Sequence, residues 1–223
     1  MAITIYEMPH SPYCIPVTQA LECFGVAHTR VAIPNWDRRE VARLTGGRYY
    51  QVPVVVDGET IVFETADDPL AVPRYLDQAY FGGALLPEEW SGVQDVLVDH
   101  IEGEMESFSF KLADIHHVTT IEDVGERTML IRHKERAFGR GCVDQWRAEA
   151  PSLRARLHEL LTPFDKRLRH SPFLLGESPL YTDFALFGVL GNFTYNNYNE
   201  LPESLEAVRS WQKRLAEWRA GSL

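Results

Sequence analysis

The sequence predicts an α/β domain followed by an all-α domain, and three observations lead to this fold class. Residues 1–82 alternate strand and helix signals in the order βαβαββα. Within them, Asp57-Gly58 joins two runs of β-branched residues, a combination that strongly favours a β-hairpin. Residues 88–223 carry apolar side chains at helical spacing and no strand signal. A domain boundary is therefore predicted at residues 82–87, where glycines and a proline interrupt both patterns.

Each element of the first domain follows from a local pattern of residues. The predicted strands are residues 3–6, 31–33, 51–56 and 59–63, and the predicted helices follow Ser11-Pro12 and span 37–47 and 70–79. Ser11 can cap the first helix through its hydroxyl, and Pro12 suits a first helical position. The start of that helix stays open, because Pro16 would interrupt a helix that begins at Pro12.

Cys14 lies on the apolar stripe of this first helix, together with Val17, Leu21 and Phe24. This position predicts a buried, inert thiol. The alternative is a reactive thiol, because an exposed cysteine at a helix start has a lowered pKa. The helix start itself, with its unpaired amides, is expected to stabilise an anion such as a thiolate.

Composition restricts the classes of function. The chain has 223 residues, 45% of them hydrophobic and 24% charged, which is typical of a soluble globular protein. A formal net charge of −10 argues against a nucleic-acid partner. No apolar run is long enough to span a membrane and no secretory signal is visible, so we expect a cytoplasmic protein without a membrane partner. Three scattered cysteines predict neither a disulfide framework nor a zinc site.

Two further motifs stand at places where a ligand can meet the backbone. Val52-Pro53 precedes a predicted strand, and a cis bond there would turn the amide and carbonyl of Val52 outward, where an extended peptide could pair with them. Glu64-Thr65 follows the hairpin, and a carboxylate beside a hydroxyl can hold both ends of an α-amino acid. Thr65 could also simply cap the next helix, unless that helix starts at Asp68-Pro69 instead.

In this order and on this plan, these motifs resemble the cytosolic glutathione transferase family, specifically its serine-type members. The resemblance covers nearly the whole chain and is carried by Ser11-Pro12-Tyr13-Cys14, Gln51-Val52-Pro53-Val54, Glu64-Thr65, Phe173-Leu174-Leu175-Gly176 and Tyr181-Thr182-Asp183-Phe184-Ala185. It implies a thioredoxin-like glutathione-binding domain at 1–82. It also implies that the all-helical domain at 88–223 contributes the pocket for an electrophile, and that the protein is a homodimer.

The resemblance also implies roles for individual residues. Ser11 would donate a hydrogen bond to the glutathione thiolate, and Val52 with Pro53 would bind the cysteinyl backbone. The γ-glutamyl end would fall to Glu64 and Thr65. Gln51 stands where family members often have a basic residue for the glycyl carboxylate, a contact that Arg39 or Arg48 could supply instead. In the second domain, Leu180 replaces the hydroxyl expected three residues before Asp183, so that Ser178 must cap the helix or the capping box is incomplete.

The helical domain offers candidate residues for the electrophile pocket, at most two of which we expect to line it. They are Trp90, His100, Phe108, Phe110, His116 and His117. A metal site at His116-His117 is not predicted, because adjacent helical residues point about 100° apart and a third ligand is missing. A stripe of Val93, Leu97 and Ile101 is predicted to face a core.

The predicted function is a glutathione transferase, in which Ser11 assists ionisation of glutathione and the thiolate attacks a small, largely apolar electrophile. Glutathione is a co-substrate, and no metal is expected. Two alternatives stay open: a glutathione-dependent thiol/disulfide oxidoreductase that uses Cys14, and a non-catalytic binding scaffold with the transferase fold.

Overall fold

The computed structural model describes residues 3–221 and contains a mixed sheet followed by helices. The strands are β1 Ile3–Glu7, β2 His28–Ala32, β3 Val54–Asp57 and β4 Thr60–Phe63. The helices of the first domain are α1 Cys14–Cys23, α2 Arg39–Leu44 and α3 Ala71–Leu76, which continues as a π-helical turn over Asp77–Phe81. Those of the second domain are α4 Ser91–Asp99, α5 Glu106–Thr120, α6 Val124–Phe138, α7 Cys142–Leu168, α8 Tyr181–Phe193 and α9 Glu206–Glu217. The predicted fold class is confirmed.

The four strands pair in the order β2-β1-β3-β4, with β1 and β2 parallel and the other pairs antiparallel. The hairpin is confirmed: Asp57 pairs with Thr60, and Gly58 adopts a φ of 60°, which glycine accepts without strain. The second strand was predicted too short at its start, because β2 already pairs with β1 at His28. Its first residues are polar and half-exposed, so no hydrophobic pattern announced them.

Helix α1 starts two residues after Pro12, and this start removes the difficulty with Pro16. Pro16 is the third residue of α1, where its missing N–H would have had no partner in the helix. Cys14, Val17 and Leu21 are fully buried, as the stripe predicted. Phe24 is half-buried and stacks on Phe81 with ring centroids 4.3 Å apart.

Helix α3 starts at Ala71, one residue after the predicted start, so of the two alternatives for Thr65 the one in which it caps this helix is wrong. Thr65 instead closes a separate turn, in which its Oγ1 accepts a hydrogen bond from the Asp68 amide at 3.1 Å. The Asp68 carboxylate then accepts from the Leu70 amide just before the helix. Pro69 cannot donate a hydrogen bond, which explains why the chain turns twice before it becomes helical.

The stripe predicted on α4 is wrong at one position. Val93 is 48% exposed, whereas its neighbour Gln94 is buried and its side chain bonds the Leu85 carbonyl and the Thr182 amide. Ile101 is buried as predicted, but it lies in a π-helical segment, His100–Met105. The buried face is formed by Gln94, Val98 and Ile101, which keep the regular helical spacing, so the prediction failed because a polar residue takes the buried position next to Val93.

Helix α8 crosses α1 at very short range and joins the two domains. A Cβ atom at Gly188 would lie 2.2 Å from the Pro12 carbonyl oxygen, so only glycine permits this approach. At the start of α8, the buried Asp183 carboxylate accepts from the Leu180 amide, but Leu180 has no hydroxyl to reciprocate. The capping box is therefore incomplete, and the second carboxylate oxygen instead bonds the Leu174 amide and Trp211 Nε1.

Within residues 3–221, no helix is both long and apolar enough to cross a membrane.

Candidate functional site

Two adjoining openings lie between the sheet domain and the helical domain. The first is a cavity of about 250 Å³ with Ser11 in its wall, and the second is a cleft of about 380 Å³ with Glu64 in its wall. Tyr13, Gln51 and Val52 line both openings, so these two spaces are continuous. A single extended ligand can therefore reach from Glu64 past Val52 to Ser11.

Ser11 is 4% exposed and organises the start of α1 through both of its oxygens. Its carbonyl accepts hydrogen bonds from the amides of Cys14 and Ile15, each at 3.1 Å, and its Oγ accepts from the Tyr13 amide at 3.2 Å. The expectation that free amides at this helix start would hold an anion is thus wrong for these three donors. Because Oγ accepts from Tyr13, its single O–H is a donor, and this proton can turn either to the Cys14 sulfur or to a ligand in the cavity.

Cys14 is completely buried, as the stripe predicted. Burial raises the pKa of its thiol to about 12, although a hydrogen bond from Ser11 opposes this shift. A thiol in that state is almost wholly protonated at neutral pH and is a poor nucleophile. All three cysteines of the chain are free and buried.

The Val52-Pro53 bond is cis, as the motif suggested. Both residues are buried, while Gln51 is exposed beside them and faces both openings. Pro53 also lines a smaller space together with Glu64 and Tyr181. The cis turn thus lies between the places expected to hold the two ends of a peptide ligand.

The cleft around Glu64 is strongly acidic. Glu64 Oε2 accepts a hydrogen bond from Tyr49 Oη at 3.0 Å, and the carboxylates of Asp99 and Glu102 face the same space. Burial, together with the charge of Glu64, raises the pKa of Glu102 to about 7. No lysine or arginine among residues 3–221 lines this cleft, and three carboxylates in such surroundings favour a positively charged group such as an ammonium. Thr65 is exposed and is not among the residues that line this cleft.

The basic residues near the site have different surroundings. Arg39 is exposed and pairs with Asp37, and Arg48 donates to the Thr45 carbonyl while its guanidinium lies over Phe63. Neither lines the cavity or the cleft. Arg38, which sequence reasoning missed, is half-buried with Nη2 3.2 Å from Met8 Sδ. Burial dominates the pKa of both Cys14 and His10; the positive charge of Arg38 slightly opposes the raised pKa of Cys14 and slightly adds to the lowering at His10, and Arg38 lines neither opening.

Two of the six candidates from the helical domain, Phe110 and His117, line the cavity. This number does not exceed the upper limit of two that we expected for the electrophile pocket. The other four do not: His100 stacks on Phe164, His116 stacks on Tyr198, and Trp90 and Phe108 lie elsewhere. Among residues 3–221, no group of three or more His, Cys, Asp or Glu side chains is arranged to hold a metal ion.

Sequence reasoning missed the polar residues that the helices bring to these openings. Glu102 faces the cleft and Glu106 the cavity, and their spacing of four residues was a readable sign of a shared helix face. Burial raises the pKa of Glu106 to about 7. Lys134 of α6 and Asn192 of α8 also line the cavity. No pattern in the sequence distinguished these two from ordinary surface or core residues.

Comparisons with known proteins agree with this arrangement. A model of the glutathione S-transferase N-terminal domain matches residues 5–83, and a model of the C-terminal domain of the same family matches residues 142–221. No curated protein matches the sequence.

Among solved structures, three similar ones share the fold at low sequence identity. A glutathione S-transferase from Rhodospirillum rubrum is 18% identical with a TM-score of 0.73, over 96% of this chain and 88% of that one. Glutaredoxin 2 from Salmonella typhimurium, in complex with glutathione, is 19% identical with a TM-score of 0.71, over 97% and 95%. A theta class enzyme from Xanthomonas axonopodis pv. citri, with glutathione bound, is 22% identical with a TM-score of 0.64, over 96% and 91%. The two family models together span most of the chain, and we conclude that it belongs to the glutathione S-transferase family.

Proposed function

We propose that this protein is a glutathione transferase in which Ser11 stabilises the thiolate of bound glutathione. Family membership supports a glutathione-binding transferase or oxidoreductase. The transferase is favoured by the contrast between two side chains: Ser11 lines the cavity and its hydroxyl can turn its proton from Cys14 to a ligand sulfur there, whereas the Cys14 thiol is sealed in the core.

Glutathione would lie across the two continuous openings. Its γ-glutamyl ammonium would meet the carboxylates of Glu64 and Glu102, and its cysteinyl backbone would pair with Val52 beside the cis bond to Pro53. Gln51 would contact the glycyl end. The γ-glutamyl carboxylate would accept a hydrogen bond from Thr65. This contact requires that the turn from Thr65 to Asp68 faces the bound ligand.

The chemistry is a nucleophilic attack of sulfur. A thiol with a reference pKa of about 8.5 is mostly protonated at neutral pH, and a pKa lower by about two units requires roughly 2.7 kcal/mol of preferential thiolate stabilisation. A hydrogen bond to a charged group contributes about 1.5–3 kcal/mol. The Ser11 hydroxyl can therefore supply most of the required effect.

Replacement of each candidate atom tests this assignment. Ser11→Ala is expected to lower kcat/KM for conjugation by about ten- to a hundredfold and to reduce the ultraviolet absorbance of bound thiolate, because one charge-assisted hydrogen bond is lost. Cys14→Ala is the matched variant and should keep thiolate absorbance. If only Cys14→Ala loses activity, Ser11 is not the residue that activates sulfur.

The oxidoreductase is the second candidate, and its support is the likeness to glutaredoxin 2. It would require Cys14 to attack a disulfide, so its sulfur would have to reach solvent. Disulfide exchange that persists in Ser11→Ala and disappears in Cys14→Ala would favour this candidate. Lack of glutathione binding at millimolar concentration would favour a non-catalytic scaffold instead.

We propose a homodimer and a cytoplasmic location as further parts of this function. Support for the dimer comes from α4, where Val93 and Val96 are 48% and 69% exposed on a face that a second copy could cover. Support for the location comes from the free state of all three cysteines, which is usual in reducing compartments.

A further inference from the structure

The cavity beside Ser11 contains a buried hydrogen-bond acceptor that has no partner among residues 3–221. Asn192 is 3% exposed, and its Nδ2 donates to the His10 carbonyl at 2.7 Å. That contact fixes the orientation of the amide, because a carbonyl can only accept. Oδ1 of Asn192 is therefore an acceptor, and it is buried without a donor. A buried acceptor without a donor destabilises the fold, so a ligand or water is expected to satisfy it.

The same cavity contains a buried histidine nitrogen without a partner. His117 Nε2 lies 3.0 Å from Asn35 Nδ2, and the ring packs against His10 with centroids 4.3 Å apart and the ring planes tilted by 36°. With Nε2 accepting from the Asn35 amide, the ring proton lies on Nδ1. This Nδ1 is buried and has no acceptor in the described part of the chain. Since burial also lowers the pKa of His117, its ring is neutral at physiological pH.

Apart from the Ser11 hydroxyl, which would meet the glutathione sulfur, the charged side chains that line the cavity do not favour a second anion. Lys134 Nζ is paired with the Asp114 carboxylate at 2.5 Å, so its charge is compensated. Glu106 faces the cavity without an ion pair among residues 3–221, and its partial negative charge repels anions. The remaining wall includes Phe110 and Phe138, which suit an apolar ring.

From these observations we propose that the electrophile taken by this site is a neutral, one-ring compound with a group that both donates and accepts hydrogen bonds, such as a carboxamide. His117 Nδ1 would donate to its oxygen and Asn192 Oδ1 would accept from its nitrogen. A cavity of about 250 Å³ is below the range of roughly 300–1,000 Å³ for drug-sized ligands, which limits the compound to one ring. The inference rests on the proposed function for the reaction, but the binding it claims can be measured without it.

The test uses chloronitrobenzenes that carry a carboxamide, an acetyl or a carboxylate group para to chlorine. In each reaction the glutathione sulfur forms a bond to the carbon that bears chlorine, chloride leaves with its electron pair, and the thiol proton passes to solvent. Rates are divided by those of the uncatalysed reaction with glutathione, which removes intrinsic reactivity. We expect the carboxamide to be preferred over the acetyl compound, which only accepts, by about tenfold, equivalent to one neutral hydrogen bond. The carboxylate should be the poorest substrate.

Variants of two adjacent histidines localise the effect. His117→Phe keeps a ring against His10 and should lower the preference for the carboxamide about tenfold. His117→Asn restores a polar atom near the position of Nδ1 and should retain most of the preference, so a folding defect can be told from a lost contact. His116→Phe makes the same change on the neighbouring residue, outside the cavity, and should leave all three rates unchanged.

Calorimetry with chlorine-free nitrobenzamide separates this inference from the proposed function. Binding that weakens in His117→Phe but not in His116→Phe supports the inference even if no compound is conjugated. The inference is overturned if nitrobenzamide does not bind, if the carboxylate or acetyl compound is preferred, or if the two phenylalanine variants behave alike.

Discussion

At the scale of single residues, Ser11 shows how one side chain serves structure and chemistry together. Its carbonyl and Oγ take up the three amides at the start of α1, and only its O–H remains. The anion expected at this helix start therefore depends on one hydroxyl hydrogen and not on a set of free amides. Ser11→Ala keeps the two carbonyl contacts but removes both the O–H and the acceptor of the Tyr13 amide, so some loss of stability is expected together with the loss of thiolate stabilisation.

Glu102 provides a prediction about pH at the same scale. Burial and the neighbouring Glu64 raise its pKa to about 7, above the ordinary value of 4.5. The folded state therefore holds this proton more tightly than the unfolded state, and the resulting stability is complete below about pH 4.5 and lost as the pH rises through about 7. Glu102→Gln removes this loss, so the variant should melt about 2–4 °C above the parent near pH 8 and show no such advantage near pH 4.

Melting curves of the two proteins across that pH range, without glutathione, measure this effect. Glu89→Gln is the control, because Glu89 is exposed on the surface before α4. An equal gain in both variants would mean that net charge, and not the surroundings of Glu102, governs the change.

Glu102→Gln should also weaken glutathione binding if the acidic cleft holds the ammonium of the γ-glutamyl residue. The ionised Glu102 is a partner for that cation, and a neutral glutamine replaces a charged contact with a polar one. We expect a loss of about five- to twentyfold in affinity for glutathione above pH 7, and little loss for an analogue that lacks the amino group. Equal losses for both ligands, measured by calorimetry, would assign the cation to another residue.

At the scale of elements, the close crossing of α1 and α8 connects folding to the site. Gly188→Ala would place a methyl group 2.2 Å from the Pro12 carbonyl oxygen, a backbone atom next to Ser11 that cannot move alone. The helices must separate, at a cost of about 1–3 kcal/mol, and Ser11 must shift with Pro12. Both the melting temperature and kcat/KM are expected to fall.

Gly191→Ala is the matched control on the same helix. A Cβ there would meet the end of the Ile15 side chain at 3.1 Å, and this side chain can adjust by rotation. Chemical denaturation should show a distinctly smaller loss for Gly191→Ala than for Gly188→Ala. A comparable loss in both variants would show that α8 tolerates no added volume at all, independent of the contact with Pro12.

The elements also show what the sequence alone could predict and what it could not. The hairpin at Asp57-Gly58, the buried stripe of α1 and the cis-prone Val52-Pro53 are local patterns, and the structure confirms them. The start of α3 was predicted within one residue, but the role of Thr65 stayed open because two capping signals compete there, and only the surroundings decide between them. The faces of α4 were misread because the buried position is taken by the polar Gln94, whereas the apolar Val93 beside it is exposed.

The candidate site divides in the same way between local and distant contacts. Ser11, Gln51, Val52 and Glu64 belong to short motifs and line the two openings. Asn192 reaches the cavity only because α8 crosses α1 more than 170 residues further along the chain, as its bond to the His10 carbonyl shows. Contacts of such separation leave no periodic trace in a single sequence, so polar residues of this kind were read as part of ordinary helices.

At the scale of the whole molecule, the exposed face of α4 leads to a prediction about assembly. Val93 and Val96 lie three residues apart on one face and are 48% and 69% exposed, while the opposite face of α4 carries the buried Gln94 and Val98. If a second copy covers the exposed face, Val96→Lys would bury a charge in the interface and weaken association by at least tenfold. Val124→Lys, at a valine that is 65% exposed at the start of α6, should leave association unchanged. Sedimentation equilibrium of the parent and the two variants measures their molar mass in solution. A parent protein that sediments as a monomer at tens of micromolar would rule out the dimer, because a stable interface of standard size would hold two copies together at that concentration.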